Sequence, residues 1–189
     1  MFLRDLRRRQ PGFRDAVLAD ARITARHRGE RVEFRSKLDA AAQIMRLCWV
    51  SDAFAAQVLY RLKVRLQVAG VPLLPRIAHR LSMAIAQVSI GDPVIVQPGV
   101  YVIHGQVVLD GIVEVGSGTV LGPWITIGLK AGNVQGATIE NDVHVGTGAK
   151  VIGPVRIGAG ARIGANAVVV SDVEARTTVG GVPARPVGS

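Results

Sequence analysis

From residue 139 onward an aliphatic side chain recurs every six positions, at Ile139, Val145, Val151, Ile157, Ile163 and Val169. Small or apolar residues stand two places before the later ones, at Val143, Ala149, Val155, Ala161 and Ala167, and glycine follows at 146, 158 and 164. The same period runs upstream through Ile90, Val96, Val102 and Val108, slips by one residue, and resumes at Val115, Leu121 and Ile127. Helices repeat every 3.6 residues and strands every 2.0. A period of six fits neither and is the mark of a β-helix. Three hexapeptides make one triangular coil whose aliphatic residues point to the axis, with small residues and glycine at the corners. Stacked coils bury one continuous column held by nearest-neighbour contacts. The span 88–175 predicts about four to five such coils.

The pattern breaks once, in GLKAGNVQGAT at 128–138, where Asn133 takes the place of the apolar residue. That break predicts a loop pushed out from the coil, a common place for function on a rigid scaffold. Ahead of the coils, Ile44, Leu47, Ala55, Val58, Leu59, Leu62 and Leu66 recur at helical steps. Ser51 in VSD divides this helical stretch as an N-cap. Gly70 and Pro72 end it at AGVP, and a further amphipathic helix is predicted over 73–87. Residues 1–37 carry charge without a clean period, which predicts short helices separated by mobile stretches. The chain therefore divides into a helical region (1–87), a β-helix (88–175) and a tail (176–189).

Composition sharpens this picture. Aromatic residues make up 4% of the chain, as a narrow aliphatic interior requires. The net charge of +9 is uneven: residues 1–80 hold 17 Lys and Arg against 7 Asp and Glu, whereas residues 81–189 hold 6 against 7. An Arg-rich helical surface suits anionic partners, but no aromatic interleaving or nucleic-acid motif accompanies it, so no nucleic acid is expected. Cys48 is the one cysteine and sits in apolar MRLCWV, which reads as a buried structural thiol. Charges fill the N-terminus where a signal peptide needs an apolar core, and Arg46 and Asp52 interrupt the most apolar run. No membrane span is expected, and the cytoplasm is the expected location.

Within the coils, GVYVIHGQVV places His104 in a run that otherwise reads as buried strand. The coil period, this histidine, the extruded loop, IENDVHVGTGAKVIGPVRIGAGARIGANAVVVSDV and the closing VGGVPARPV together resemble the serine O-acetyltransferase family and its serine-acetyltransferase-like branch. FAAQVLYRLKVRLQVAGVPLLPRIAHRLSMAIAQVSIG is similar to the helices preceding the coils in that family, so the resemblance covers about residues 45–188. It implies an α+β fold, an N-terminal α-helical region followed by a left-handed parallel β-helix of hexapeptide repeats. It also implies acetyl transfer from acetyl-CoA to a hydroxyl at clefts between subunits of a homotrimer or dimer of trimers, with no metal.

His104 matches the family's general base. The chemistry is sound by itself, because an alcohol is a poor nucleophile at neutral pH and imidazole is suited to take its proton. The family places an aspartate fifteen residues before this histidine; here that position is Ser89, and Asp92 is the nearest carboxylate and the candidate replacement. The family's Arg-His pair in the extruded loop is absent from NVQGATI, where Lys130 is the loop's one charge. That loss weakens the expectation of free serine as acceptor. Asp39 lies within one residue of the family's ammonium-binding aspartate. Leu129, Thr147 and Ala165 match positions that contact the pantetheine arm; their 18-residue spacing predicts a vertical stack. Lys150 and Arg185 are candidate partners for the CoA phosphates.

Three rival readings follow. A γ-class carbonic anhydrase shares the coil period but needs three zinc-binding histidines, and no histidine follows His144. A sugar or natural-product O-acetyltransferase shares donor, coil and histidine. A catalytically degenerate scaffold would lose acceptor-binding residues as this chain has.

Overall fold

A computed structural model describes residues 6 and 8–188 of the 189-residue chain. Helix α1 spans Phe13–His27, α2 Lys37–Val50, α3 Asp52–Val68 and α4 Leu74–Ala86. Strands then wind a left-handed parallel β-helix of about five turns.

α1 is longer and better formed than the charge pattern predicts. Its buried stripe is Ala16, Val17, Asp20, Ala21, Thr24 and Ala25. Small residues at four-residue steps bury such a helix closely, but they lack the large aliphatics that make a period visible. The Ser51 break is as read: its hydroxyl accepts from the Phe54 N–H at 3.3 Å and caps α3. α3 ends at Val68, followed by Gly70 at φ +71° and Pro72.

The solenoid forms three parallel sheets. Sheet 1 contains β1 (Val88–Ile90), β4 (Val107–Leu109), β7 (Thr126–Gly128), β10 (Lys150–Ile152) and β13 (Val168–Val169). Sheet 2 contains β2 (Ile95–Val96), β5 (Ile112–Val115), β8 (Gln135–Ile139) and β11 (Arg156–Ile157). Sheet 3 contains β3 (Tyr101–Val102), β6 (Val120–Leu121), β9 (His144–Val145), β12 (Arg162–Ile163) and β14 (Thr178–Gly180). β15 (Arg185–Pro186) folds back antiparallel on β14. The inward aliphatic residues form one buried column together with the small residues two places before them.

Register shows where coil length varies. Val88 pairs with Val107, Val108 with Thr126, Thr126 with Lys150 and Lys150 with Val168, so successive coils take 19, 18, 24 and 18 residues. The 24-residue coil contains the extruded loop, shorter than expected at 129–134, between β7 and β8. The one-residue slip also falls earlier than the sequence period suggests. Val108 is 38% exposed, whereas Val107 and Leu109 are 0% and 1% exposed. The extra residue therefore lies between Val102 and Val107, at the corner that carries His104.

A solenoid's first coil leaves backbone groups without a coil beneath them, and α1 and α3 cover these groups. Gln57 donates to Val100 O at 2.9 Å, Tyr60 to Val94 O at 3.1 Å and Lys63 to Ile90 O at 2.6 Å. Arg61 donates to Val96 O and Gln97 O and pairs with Asp20 at 2.8 Å. Asp20 in turn accepts from the Gly99 N–H at 2.9 Å and the Val100 N–H at 3.3 Å. Burial pushes the Asp20 carboxyl up, opposed by the adjacent guanidinium and backbone donors. Burial also pushes the Tyr60 phenol up to about 12. Apart from the Gln57 side-chain oxygen, which is buried without a partner among the described residues, these buried groups are hydrogen-bonded, so their desolvation is largely compensated and the helices are fixed on the coil.

Candidate functional site

His104 lies in the corner between β3 and β4 and is exposed, not buried in a strand. The corner is held by the end of α4: the Gln106 N–H donates to the Ala86 carbonyl at 2.9 Å. A Cβ at Gly105 would stand 1.8 Å from that carbonyl oxygen, so glycine is required for the close approach. The contact explains the glycine that follows His104.

A cavity of about 390 Å³ opens beside His104. The start of α3 contributes Ser51 and Asp52, the end of α4 Ile85 and Ala86, and the end of α1 Arg28. Asp52 is the one carboxylate lining it among the described residues. Sequence reading missed Asp52 and Arg28 because only the packing of α1 and α3 against this corner brings them to His104.

The corner heads a long edge of the prism, between sheets 3 and 1. Gln106, Trp124, Gly148 and Asn166 mark successive levels of this edge, with φ of +59°, +64°, +74° and +56°. Positive φ is uncommon for a tryptophan, and Trp124 projects from the edge with 59% exposure. Thr147 and Ala165 stack on consecutive coils, as the Asn166 N–H donation to Thr147 O at 2.8 Å shows. The Lys150 amine reaches back to the Trp124 carbonyl on the same edge. Arg185 pairs with Gly180, itself stacked over Gly164, and so sits at the far end of the edge. The edge thus brings together His104, Thr147, Lys150, Ala165 and Arg185.

Leu129 does not join the stack. The coil between it and Thr147 contains the loop, so the residue beneath Thr147 is Pro123, whose carbonyl accepts from the Gly148 N–H. Leu129 lies on the edge between sheets 1 and 2, against Gly111. Asp92 shares that second edge, because it follows β1. Its carboxylate accepts from buried Lys63 at 3.0 Å and lines a separate cavity with Arg76, His79 and Arg80. Asp92 therefore does not meet His104, and its candidate role in orienting the ring is not supported by this placement. Asp39 lies in the first turn of α2, which Ser36 caps, and accepts from the Arg31 guanidinium at 2.6 Å and the Arg35 N–H at 2.8 Å. These donors hold its carboxyl below the usual aspartate range, and it does not line the His104 cavity.

His144 stands on the outer face of sheet 3, paired in register with Val120 and Arg162. Partial desolvation, and then the charges of Arg162 and His27, lower its pKa. His27 stacks on Tyr101 with ring centroids 4.4 Å apart, anchoring the end of α1 to the same sheet. Among the described residues no group of three or more His, Cys, Asp or Glu converges to hold a metal. No helix among them is long and apolar enough to cross a membrane.

Within the coils, residues 136–171 match the family model described as bacterial transferase hexapeptide (six repeats). The serine acetyltransferase of Mycobacterium tuberculosis is 32% identical over 164 residues, covering 85% of this chain and 72% of that protein. The serine acetyltransferase of Synechococcus elongatus is 34% identical over 142 residues, 74% of this chain but 57% of its own length. Among solved structures, Neisseria gonorrhoeae serine acetyltransferase in complex with serine matches 92% of this chain and 68% of its own, with a TM-score of 0.77 and 26% identity. The chain belongs to the serine acetyltransferase family.

Proposed function

We propose that the protein transfers an acetyl group from acetyl-CoA to the hydroxyl of serine or a serine-like small molecule, with His104 as general base. The observation that carries this reading is the placement of an exposed histidine beside a cavity at the head of the edge that bears Thr147, Lys150, Ala165 and Arg185. An extended pantetheine arm suits such an edge. Thr147 and Ala165 leave room for the arm, while Lys150 and Arg185 offer cations to its phosphates.

In the proposed reaction the imidazole accepts the hydroxyl proton as the acceptor oxygen attacks the thioester carbonyl. The tetrahedral intermediate collapses with cleavage of the carbon–sulfur bond. The imidazolium then returns its proton to the CoA thiolate, so the histidine ends neutral and ready for another cycle.

The 129–134 loop rises from a different edge than His104, so the two do not meet within one chain. A homotrimer resolves this separation in the proposed assembly, with the loop of one copy facing the His104 edge of the next. Sedimentation measures that state directly.

The reaction is tested by thiol release from acetyl-CoA with L-serine, L-homoserine and a sugar panel, coupled to mass analysis of the product. Serine-dependent release with an O-acetylated product supports the reading. Release only with sugars moves the acceptor to the sugar class. Absence of both release and acetyl-CoA binding contradicts the transferase reading and favours a scaffold.

A further inference from the structure

The helical region holds a cavity whose chemistry the acetyl-transfer reading does not use. Arg14, Val17, Leu18 and Arg22 fall at steps of three and four along one face of α1, and Lys37, Ala40 and Ile44 do the same on α2. With Phe34 from the link between the helices, they line a groove of about 490 Å³, within the size range of small-molecule sites. The groove exists because α2 packs down at one end only. Leu47 is its one buried residue, and it joins Ala21 and Phe54 in a small satellite core. The first half of α2 buries nothing fully, so Phe34 and Ile44 stay half-buried along the opening.

The charges on this groove have one sign. Arg14, Arg22 and Lys37 line it, and no carboxylate does so among the described residues. None of the three has an ion-pair partner among those residues. Nearby carboxylates are engaged elsewhere, Asp39 by Arg31 and Asp20 by Arg61. The Arg22 guanidinium lies over the Phe34 ring, 5.3 Å from its centroid. Cation and apolar wall therefore meet at one point, and the planar donors of the guanidinium remain for an acceptor.

From this pairing we infer that the groove binds a single-chain alkyl carboxylate: the chain lies along Val17, Leu18, Phe34 and Ile44, and the head meets Arg14, Arg22 and Lys37. Each half of the ligand excludes a rival. A bare anion would meet three exposed cations whose attraction water and salt screen. A neutral chain would gain the apolar wall but nothing from the cations. A carboxylate suits guanidiniums because both its oxygens can be contacted at once. The groove and the His104 cavity share no lining residue, so the inference does not depend on the acetyl-transfer reading.

Calorimetric titration of the full-length protein with decanoate, 1-decanol and decylammonium, each below its aggregation threshold, tests the inference. Decanoate is expected to bind saturably at one molecule per chain, about tenfold tighter than decanol, with decylammonium weaker still. From octanoate to decanoate, each methylene should tighten binding about three- to fourfold. Combining Arg22→Gln with Lys37→Gln brings decanoate to the affinity of decanol and leaves decanol unchanged. Ala40→Phe, which fills the groove, removes binding of both. The head-group and chain-length comparisons use wild-type protein, so they stand whether or not a variant folds.

Equal affinity for the three probes overturns the inference, as does decanoate binding indifferent to the cation changes or to Ala40→Phe. Absence of decanoate binding, with self-association that Ala40→Phe abolishes in sedimentation, also overturns it and gives the groove to a second copy of the chain.

Discussion

Gly105 packs so closely beneath the last turn of α4 that any Cβ there would fall 1.8 Å from the carbonyl oxygen of Ala86. The same carbonyl accepts the Gln106 N–H, so one oxygen sets the position of the corner that presents His104. The helical region and the β-helix are coupled at the corner that carries His104.

Gly105→Ala consequently forces the corner away from α4. The expected cost is about 1–3 kcal/mol, as for other overpacked sites, measured by denaturant unfolding. Displacement of His104 by about an ångström should also lower kcat about a hundredfold. A variant that loses stability but keeps full activity would show that the contact does not position the histidine.

The Asp20–Arg61 pair is expected to hold the helices on the first coil. Asp20→Asn leaves the buried guanidinium without its charge partner and should cost about 3–5 kcal/mol in urea unfolding. Replacement of both residues by apolar side chains should cost less than the single change, because no uncompensated charge remains.

The corrected register separates two neighbours that look alike in sequence. Leu109→Ala should cost about 2–5 kcal/mol, since Leu109 fills the axial column. Val108→Ala should stay within about 0.5 kcal/mol, since its side chain faces outward. Reversed magnitudes would return the slip to the place that the period alone suggested.

His144 gives the stability curve a defined acid slope. Its folded pKa lies below the ordinary 6.5, so folding favours the neutral ring. Its stabilising contribution is complete above 6.5 and fades as the pH falls through the folded value. Thermal melts of His144→Gln should show a shallower loss between neutral pH and about pH 5 than the parent protein.

Trp124 reports on the donor. Its exposed ring stands on the same edge as Thr147 and Ala165, so CoA should change the tryptophan fluorescence. Trp124→Phe should remove that response, whereas Trp49→Phe, on α2, should retain it.

Much of the architecture was legible because the six-residue period is a property of every coil. Ile139 to Val169 could be placed on the axis from sequence, and the loop announced itself through Asn133. Failures arose where one local change altered a count. The 24-residue coil broke the 18-residue argument for Leu129, and the extra corner residue made Val108 resemble a core position. Asp92 seemed near His104 along the chain, but the intervening strands carry it to another edge, where Lys63 takes its carboxylate. Asp52 and Arg28 had no sequence signal, because they reach the histidine only through helix packing. α1 was hidden because its buried face uses Ala, Thr and Asp.

The measurement that tests the central claim most directly is kcat for acetyl-CoA and L-serine with wild-type protein and His104→Asn, with acetyl-CoA binding measured on both. A general base predicts a fall in kcat of about 10²–10⁴ with donor affinity unchanged. Turnover within a small factor of wild type would contradict the role of His104 and require another group to accept the proton.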